Sequence, residues 1–129
     1  MFEMPAIMGM AQQMARHAAA RQVVISENIA HADTPGYKAR DLPSFGAVHQ
    51  ALGSDMPLRR MRAEHFNGGA DAAALRPRID MTAPTQSPNG NTVSLEDQMM
   101  RAAQTRLSHD MALSVYSAAR GILRSALGN

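Results

Sequence analysis

Small and apolar side chains recur every three or four residues at both ends of this chain, and the stretch between shows no such period. From Pro5 to Ala32 the line is Met8, Ala11, Ala15, Ala18, Gln22, Ile25, Ile29 and Ala32. That spacing keeps one face of a helix apolar. Pro5 suits the first turn, where its missing N–H would be unpaired anyway. Such a helix measures roughly 40 Å. From Ser94 to Leu127 the line is Met100, Ala103, Leu107, Met111, Ser114, Ala118, Ile122 and Ser125, widened by Leu113, Tyr116, Leu123 and Leu127. Ser94 can cap this helix, with Asp97 in the place of the usual capping-box glutamate, and Gly128 can end it.

Between them, Thr34 to Thr92 holds every proline except Pro5 and the soft run Asn67 to Ala74. Short strands are expected near Leu58–Met61 and Arg78–Met81. The chain thus predicts a mainly α fold, in which the two terminal helices pack antiparallel as a hairpin or coiled coil. Residues 1–33 and 94–129 would form one discontinuous helical domain, and residues 34–93 an irregular connection with room for short β structure.

The apolar residues are an unusual set. Of 129 residues, 45% are hydrophobic, yet aromatics are 4%, tryptophan is absent and methionine numbers 11. Aromatic side chains usually supply the largest buried contacts, so a core of alanine and methionine is shallow and adaptable. A small domain of this kind has little stability to spare. The expectation is that neighbouring molecules complete it, through assembly faces at Ala18, Ile25 and Ile29 on the first helix and Met100, Leu107, Met111, Leu113 and Ile122 on the second. Because isolated weakly apolar helices are marginal in water, folding would then accompany assembly.

The sequence argues against catalysis. With no cysteine there is no thiolate nucleophile, zinc thiolate or disulfide. The five histidines, at 17, 31, 49, 65 and 109, include no helical pair with a glutamate between. Gly68-Gly69 is not followed by the Lys-Ser/Thr of a phosphate loop, and there is no Gly-x-Ser-x-Gly turn. The reading is a non-enzyme with no metal, cofactor or small-molecule substrate. Net charge is only +2, and Arg59, Arg60 and Arg62 read as a solvated cluster, so no nucleic-acid partner is expected. The rival of another class is a small helical module binding peptide or nucleic acid, which would show salt-dependent DNA binding. There is no transmembrane run. Gln12, Gln13, Arg16 and His17 interrupt any signal-peptide core, so passage out of the cytoplasm would need a route without a cleaved signal.

The most specific stretch ends the first helix: Asn28-Ile29-Ala30-His31-Ala32-Asp33-Thr34-Pro35-Gly36-Tyr37-Lys38-Ala39-Arg40-Asp41-Leu42. Pro35 disfavours helix at Thr34. Pro35-Gly36 fits the two central positions of a type II turn. Asp33 and Thr34 can bond the backbone groups freed there, Asn28 can do the same with its amide, and Tyr37 can fold back on the helix.

As a whole the stretch resembles the signature of flagellar axial proteins, with Asn28, Ile29, Ala30, Thr34, Pro35, Gly36, Tyr37 and Lys38 matching and His31 in place of a second asparagine. The continuation to Leu42 and Phe45, the histidine at 65 and Asn89-Gly90-Asn91-Thr92-Val93 before Glu96 resemble the flagellar basal-body rod proteins. They are closer to the FlgB branch of the proximal rod than to its sibling FlgC. Thr105 and His109 depart from that pattern, which often has Asn and Tyr there.

This resemblance implies a structural subunit that packs helically with copies of itself and with other rod subunits and transmits torque from the inner-membrane ring to the hook. Further implied partners are the ring-to-rod adaptor at that ring and the flagellar type III export apparatus. The implied location is the rod on the periplasmic side of the inner membrane.

Overall fold

The computed structural model describes residues 4–51, 75–83 and 86–128. Two long helices dominate, α1 (Met4–Ala30) and, at the C-terminal end, α3 (Leu95–Ala126). Between them lie β1 (Arg40–Asp41), the short α2 (Phe45–Ala51) and β2 (Arg78–Ile79). The expected strand at 58–61, the arginines at 59, 60 and 62 and the histidine at 65 lie outside the described residues.

Local chemistry sets the ends of the helices. Ser94 has an extended backbone, and its hydroxyl accepts the N–H of Asp97. Glu96 and Asp97 lie in the first turn of α3 and Arg124 in its last, which complements the helix dipole at both ends. Leu127 donates to the carbonyl of Leu123, and Gly128, at φ +78°, adopts the left-handed conformation that ends helices. α1 stops two residues before the expected Ala32, and the chain turns there.

The helices run antiparallel. The C-terminal end of α1 meets the N-terminal end of α3 through a 3.0 Å hydrogen bond from Asn28 Nδ2 to Gln98 Oε1. Their seam has a seven-residue repeat on both sides: Ala11, Ala18 and Ile25 face Gln98, Thr105, Ala112 and Ala119, all buried. A strict heptad is the spacing of a left-handed supercoil. Alanines here let the two backbones approach closely.

The α1 line matches the periodic stripe of the sequence, but the α3 line does not. Met100, Leu107, Met111 and Ile122 point to water, with Leu107 63% exposed. The large apolar residues do not make the intramolecular seam; the small and polar ones, about two positions away, do. A periodic pattern marks an apolar face but does not say which neighbour covers it, and close helix approach favours alanine over leucine. Ile25, by contrast, is 1% exposed within this single chain, so its burial needs no neighbour.

The middle segment covers one side of the hairpin. β1 and β2 pair antiparallel, Arg40 with Ile79 and Asp41 with Arg78. Ser44 caps α2 by accepting the N–H of Ala47 at 3.3 Å. α2 lies against α1: a His17 ring nitrogen is 2.7 Å from the Pro43 carbonyl, and Phe45 meets the His17 ring edge-on at 5.8 Å. Ala39, Leu42 and Val48 are buried under this segment. The opposite side of the hairpin is open. There a groove of about 1000 Å³ runs between the helices, lined by Ala18, Ala19, Ser26, Ala30, Ala102 and Ala103 among others.

Candidate assembly site

Two asparagines organise the turn after α1. Asn28, 1% exposed, donates from Nδ2 to the Arg40 carbonyl at 2.7 Å and to Gln98 Oε1. Its Oδ1 accepts the Arg40 N–H at 3.0 Å and the Tyr37 hydroxyl at 3.4 Å. The amide therefore grips both backbone groups of one residue, as a neighbouring strand would. All its hydrogen-bonding capacity is used, as burial requires.

Asn91, equally buried, lies within 2.9 Å of the carbonyls of His31 and Ala32 and 2.8 Å of that of Thr34. One amide nitrogen thus reaches three carbonyls where the helix ends; those of His31 and Thr34 also accept the Thr34 and Tyr37 N–H groups, and that of Ala32 has Asn91 as its donor. Its Oδ1 accepts the Val93 N–H at 2.7 Å, fixing the approach to α3.

The turn itself is closed by the Tyr37 N–H donating to the Thr34 carbonyl at 3.3 Å, with Gly36 at φ +72°, as the second central position of a type II turn requires. Tyr37 folds back and stacks on His31 with ring centres 4.5 Å apart. Lys38 donates to the Gly90 carbonyl at 3.1 Å. Strand-like bonds continue from Gly36 N–H to Asn89 and from Thr92 N–H to Tyr37. Gly90, at φ +84°, takes the left-handed conformation that favours glycine and lies beside Gly36.

Two expectations change. Asp33 makes no side-chain bond among those described, and Thr34 Oγ1 reaches only His31 Nδ1, at 3.2 Å. The carbonyl of Ala32, and those of His31 and Thr34 as a second bond, are reached by Asn91 from the far side of the chain. Asn28 bonds the backbone beyond the turn rather than within it.

A cluster of charges fastens the middle segment to both helices. Arg21 on α1 makes a two-pronged pair with Asp41, at 2.9 and 2.7 Å. Arg101 on α3 lies 2.8 Å from Asp41, 2.7 Å from Asp80 and 2.8 Å from Asp97. Asp80 Oδ2 is buried without a well-directed hydrogen bond, so its attraction to Arg101 is mainly coulombic. Burial pushes the Asp80 carboxyl up. Two bonds from Thr82 and the Arg101 charge outweigh it and hold the pKa below the usual value. Burial likewise opposes the Arg101 charge, but Asp80, Asp97 and Asp41 raise its pKa further. The sequence marked Asp97 as a capping residue and Asp41 within the 28–42 stretch but not the cluster, because the links to the middle segment span 20 to 60 positions.

Of the expected contact residues, Ala18 and Ile25 lie in the chain's own seam, whereas Ile29, Met100, Leu107, Met111, Leu113 and Ile122 are exposed. On a helical projection of α3 at about 100° per residue, Met100, Leu107, Met111, Ala118 and Ile122 share one outer face. From Met99 to Ala126, Arg101, Arg106, Asp110, Arg120 and Arg124 all fall outside this face, with Asp110 at its edge. An exposed apolar face without a charge is the mark of an interaction surface. Among the described residues there is no group of three metal-ligating side chains and no helix long and apolar enough to cross a membrane.

No protein-family model matches the chain. Among curated proteins it is 34% identical to the flagellar basal body rod protein FlgB of Cereibacter sphaeroides over 83% of this chain and 87% of that protein. It is also 34% identical to FlgB of Escherichia coli K12, over 77% of this chain and 76% of that one. The chain belongs to the FlgB family of flagellar basal body rod proteins. FlgB of Agrobacterium fabrum, 27% identical, matches over 82% of this chain and 81% of its own length. These spans require the match to reach beyond either terminal helix alone. Family membership therefore applies to the hairpin as a unit, not to a single helix. In this FlgB-family chain, Asn91 and Gln98, like Arg21, Asp80 and Arg101, are site residues to which sequence reasoning gave no role. Asn91 did stand inside the Asn-Gly-Asn-Thr-Val lead to α3, and that was the available signal.

Proposed function

We propose that this FlgB-family protein is a structural subunit of the proximal rod that assembles through the outer face of α3 and passes torque along the rod. The observation that carries this is the uncharged apolar face from Met100 to Ile122, exposed in the lone chain although the hairpin already has a dry seam. Rigid parts suit a torque-bearing element. The Asn28 and Asn91 clamps and the Arg101 cluster tie the turn and middle segment to both helices, so load on one helix reaches the other through fixed contacts. The helices act as one discontinuous unit, 1–33 with 94–129, and 34–93 connects them. Ile29, Met100, Leu107, Met111, Leu113 and Ile122 carry contacts to copies and to other rod subunits. At the base of the rod the partners are the ring-to-rod adaptor and the inner-membrane ring. The subunit reaches the periplasmic side through the type III export apparatus without signal cleavage. It works as a mechanical part, without catalysis.

The test is deletion of the gene, with swimming assayed and basal bodies imaged. The expected result is loss of swimming and of the rod, both restored by the intact gene. A deletion strain with normal rods and normal swimming overturns the proposal.

A further inference from the structure

The groove on the open side of the hairpin and the apolar face on the back of α3 are shaped for each other. Half of the groove's lining is small: Ala18, Ala19, Ser26 and Ala30 from α1, and Ala102 and Ala103 from α3. Its charged and titratable residues are Glu27, Arg106 and His109. It extends from Ala18 to Ala30, roughly 18 Å along α1. The α3 face is the opposite in size: long unbranched or singly branched side chains at Met100, Leu107 and Met111, all more than half exposed, with no charge among them.

The two surfaces lie on different sides of the same chain, so no chain can satisfy itself. On the α3 projection, Ala102, Ala103 and Arg106 lie between about 60° and 160° from the Thr105 direction, whereas Met100, Leu107 and Met111 lie between about 200° and 240°.

We infer that the groove receives the Met100–Met111 face of α3 from a second copy of this chain, so that each copy is both host and guest. The inference rests on the rod-subunit reading above and adds which surfaces meet. Large side chains entering a groove lined by alanine and serine give the interdigitation that helix packing needs. Charge agrees with this seating. Asp110 borders the entering face and is 65% exposed, with only a 3.9 Å contact to its neighbour His109. Arg106 stands on the groove wall and makes no ion pair among the described residues. A guest's Asp110 therefore finds a host's Arg106.

A contact between unlike surfaces does not close on itself as a two-fold dimer does. Repeated, it makes a ring or an open helical array. The groove spans only about half of the α3 face, so a single contact is small beside the ~800 Å² per partner of a stable interface. The chain is thus expected to stay monomeric when dilute and to hold together only where several contacts act at once.

The absence of cysteine makes a direct test clean. Chains carrying Ser26→Cys together with Met111→Cys are expressed in the deletion strain, and basal bodies are isolated and mildly oxidised. The expected result is a ladder of trimers and longer multimers of this chain, absent from either single variant and removed by reduction. Ala30→Cys with Leu107→Cys, a second pair one turn away on the same two surfaces for a guest α3 antiparallel to the host α1, is expected to give the same ladder.

If either double variant swims and no ladder forms, the inference fails while the rod-subunit reading stands. Dimers in the Met111→Cys single variant alone overturn it too, because they mean that α3 faces pair with one another. If neither pair swims, Arg106→Glu decides. It is expected to cut swimming at least tenfold and to be rescued by Asp110→Arg supplied on a separate co-expressed copy, and absence of rescue overturns the inference.

Discussion

The side-chain amide of Asn28 bonds both the N–H and the carbonyl of Arg40, at 3.0 and 2.7 Å, and so joins the last turn of α1 to the first residue of β1. Twelve residues of chain, including the Pro35-Gly36 turn, are closed by one side chain. Asn28→Ala leaves the Arg40 groups, the Gln98 oxygen and the Tyr37 hydroxyl without this partner. Unsatisfied buried groups cost about 1–3 kcal/mol each, and water relieves part of that. The expected loss is about 2–4 kcal/mol by urea denaturation, with Asn28→Asp no better because a carboxylate cannot donate to Arg40 and Gln98.

Acid should weaken the same region through Asp80. Its folded pKa is lowered from 3.8, so its contribution is present above that unfolded value and lost as pH falls through the lower folded one. Denaturation midpoints are expected to fall below about pH 4. In Asp80→Asn the share of that slope due to Asp80 disappears, while other carboxylates keep theirs.

Removing the cation has a larger effect than removing one of its anions. Arg101→Met leaves Asp41, Asp80 and Asp97 facing one another without the charge that holds them together. Breaking a buried pair from one side costs roughly 3–5 kcal/mol. Arg101 is 13% exposed rather than fully buried, so about 2–4 kcal/mol is expected by thermal or urea unfolding.

Thr105 offers the opposite sign. Its hydroxyl is buried in the helix seam with no hydrogen-bond partner among the described residues. Thr105→Val keeps the β-branched shape and removes the unpaired oxygen. The variant is expected to be more stable by about 1 kcal/mol.

The two ends of the apolar pattern should respond differently to charge. Leu107→Glu lies on the exposed face and is expected to change the stability of the monomer by no more than about 0.5 kcal/mol while abolishing swimming. Ile25→Glu places a charge in the dry seam and is expected to prevent folding, as circular dichroism would show.

These contrasts mark what the sequence made legible. Both long helices and the turn at 34–37 follow from local signals: the three-four period, the Ser94 cap and the fixed geometry of Pro35-Gly36. The face of α3 that joins α1 was not legible, because Gln98, Thr105, Ala112 and Ala119 are chosen for closeness rather than greasiness. α2 is seven residues long, too short for a period to show. The Arg21–Asp41–Arg101–Asp80 cluster depends on how β1 and β2 fold over the hairpin, and nothing local fixes that. Methionine and leucine on the outside of α3 were legible as apolar, and their exposure explains why so weak a core pattern carries such large side chains.

The central claim is that neighbouring molecules cover the outer face of α3 in the rod. Leu107→Cys supplies the only thiol in the chain, and its reaction with a maleimide can be timed on purified monomer and on isolated basal bodies. The account predicts rapid labelling of the monomer and at least tenfold slower labelling in the rod. Equal rates in both would contradict it.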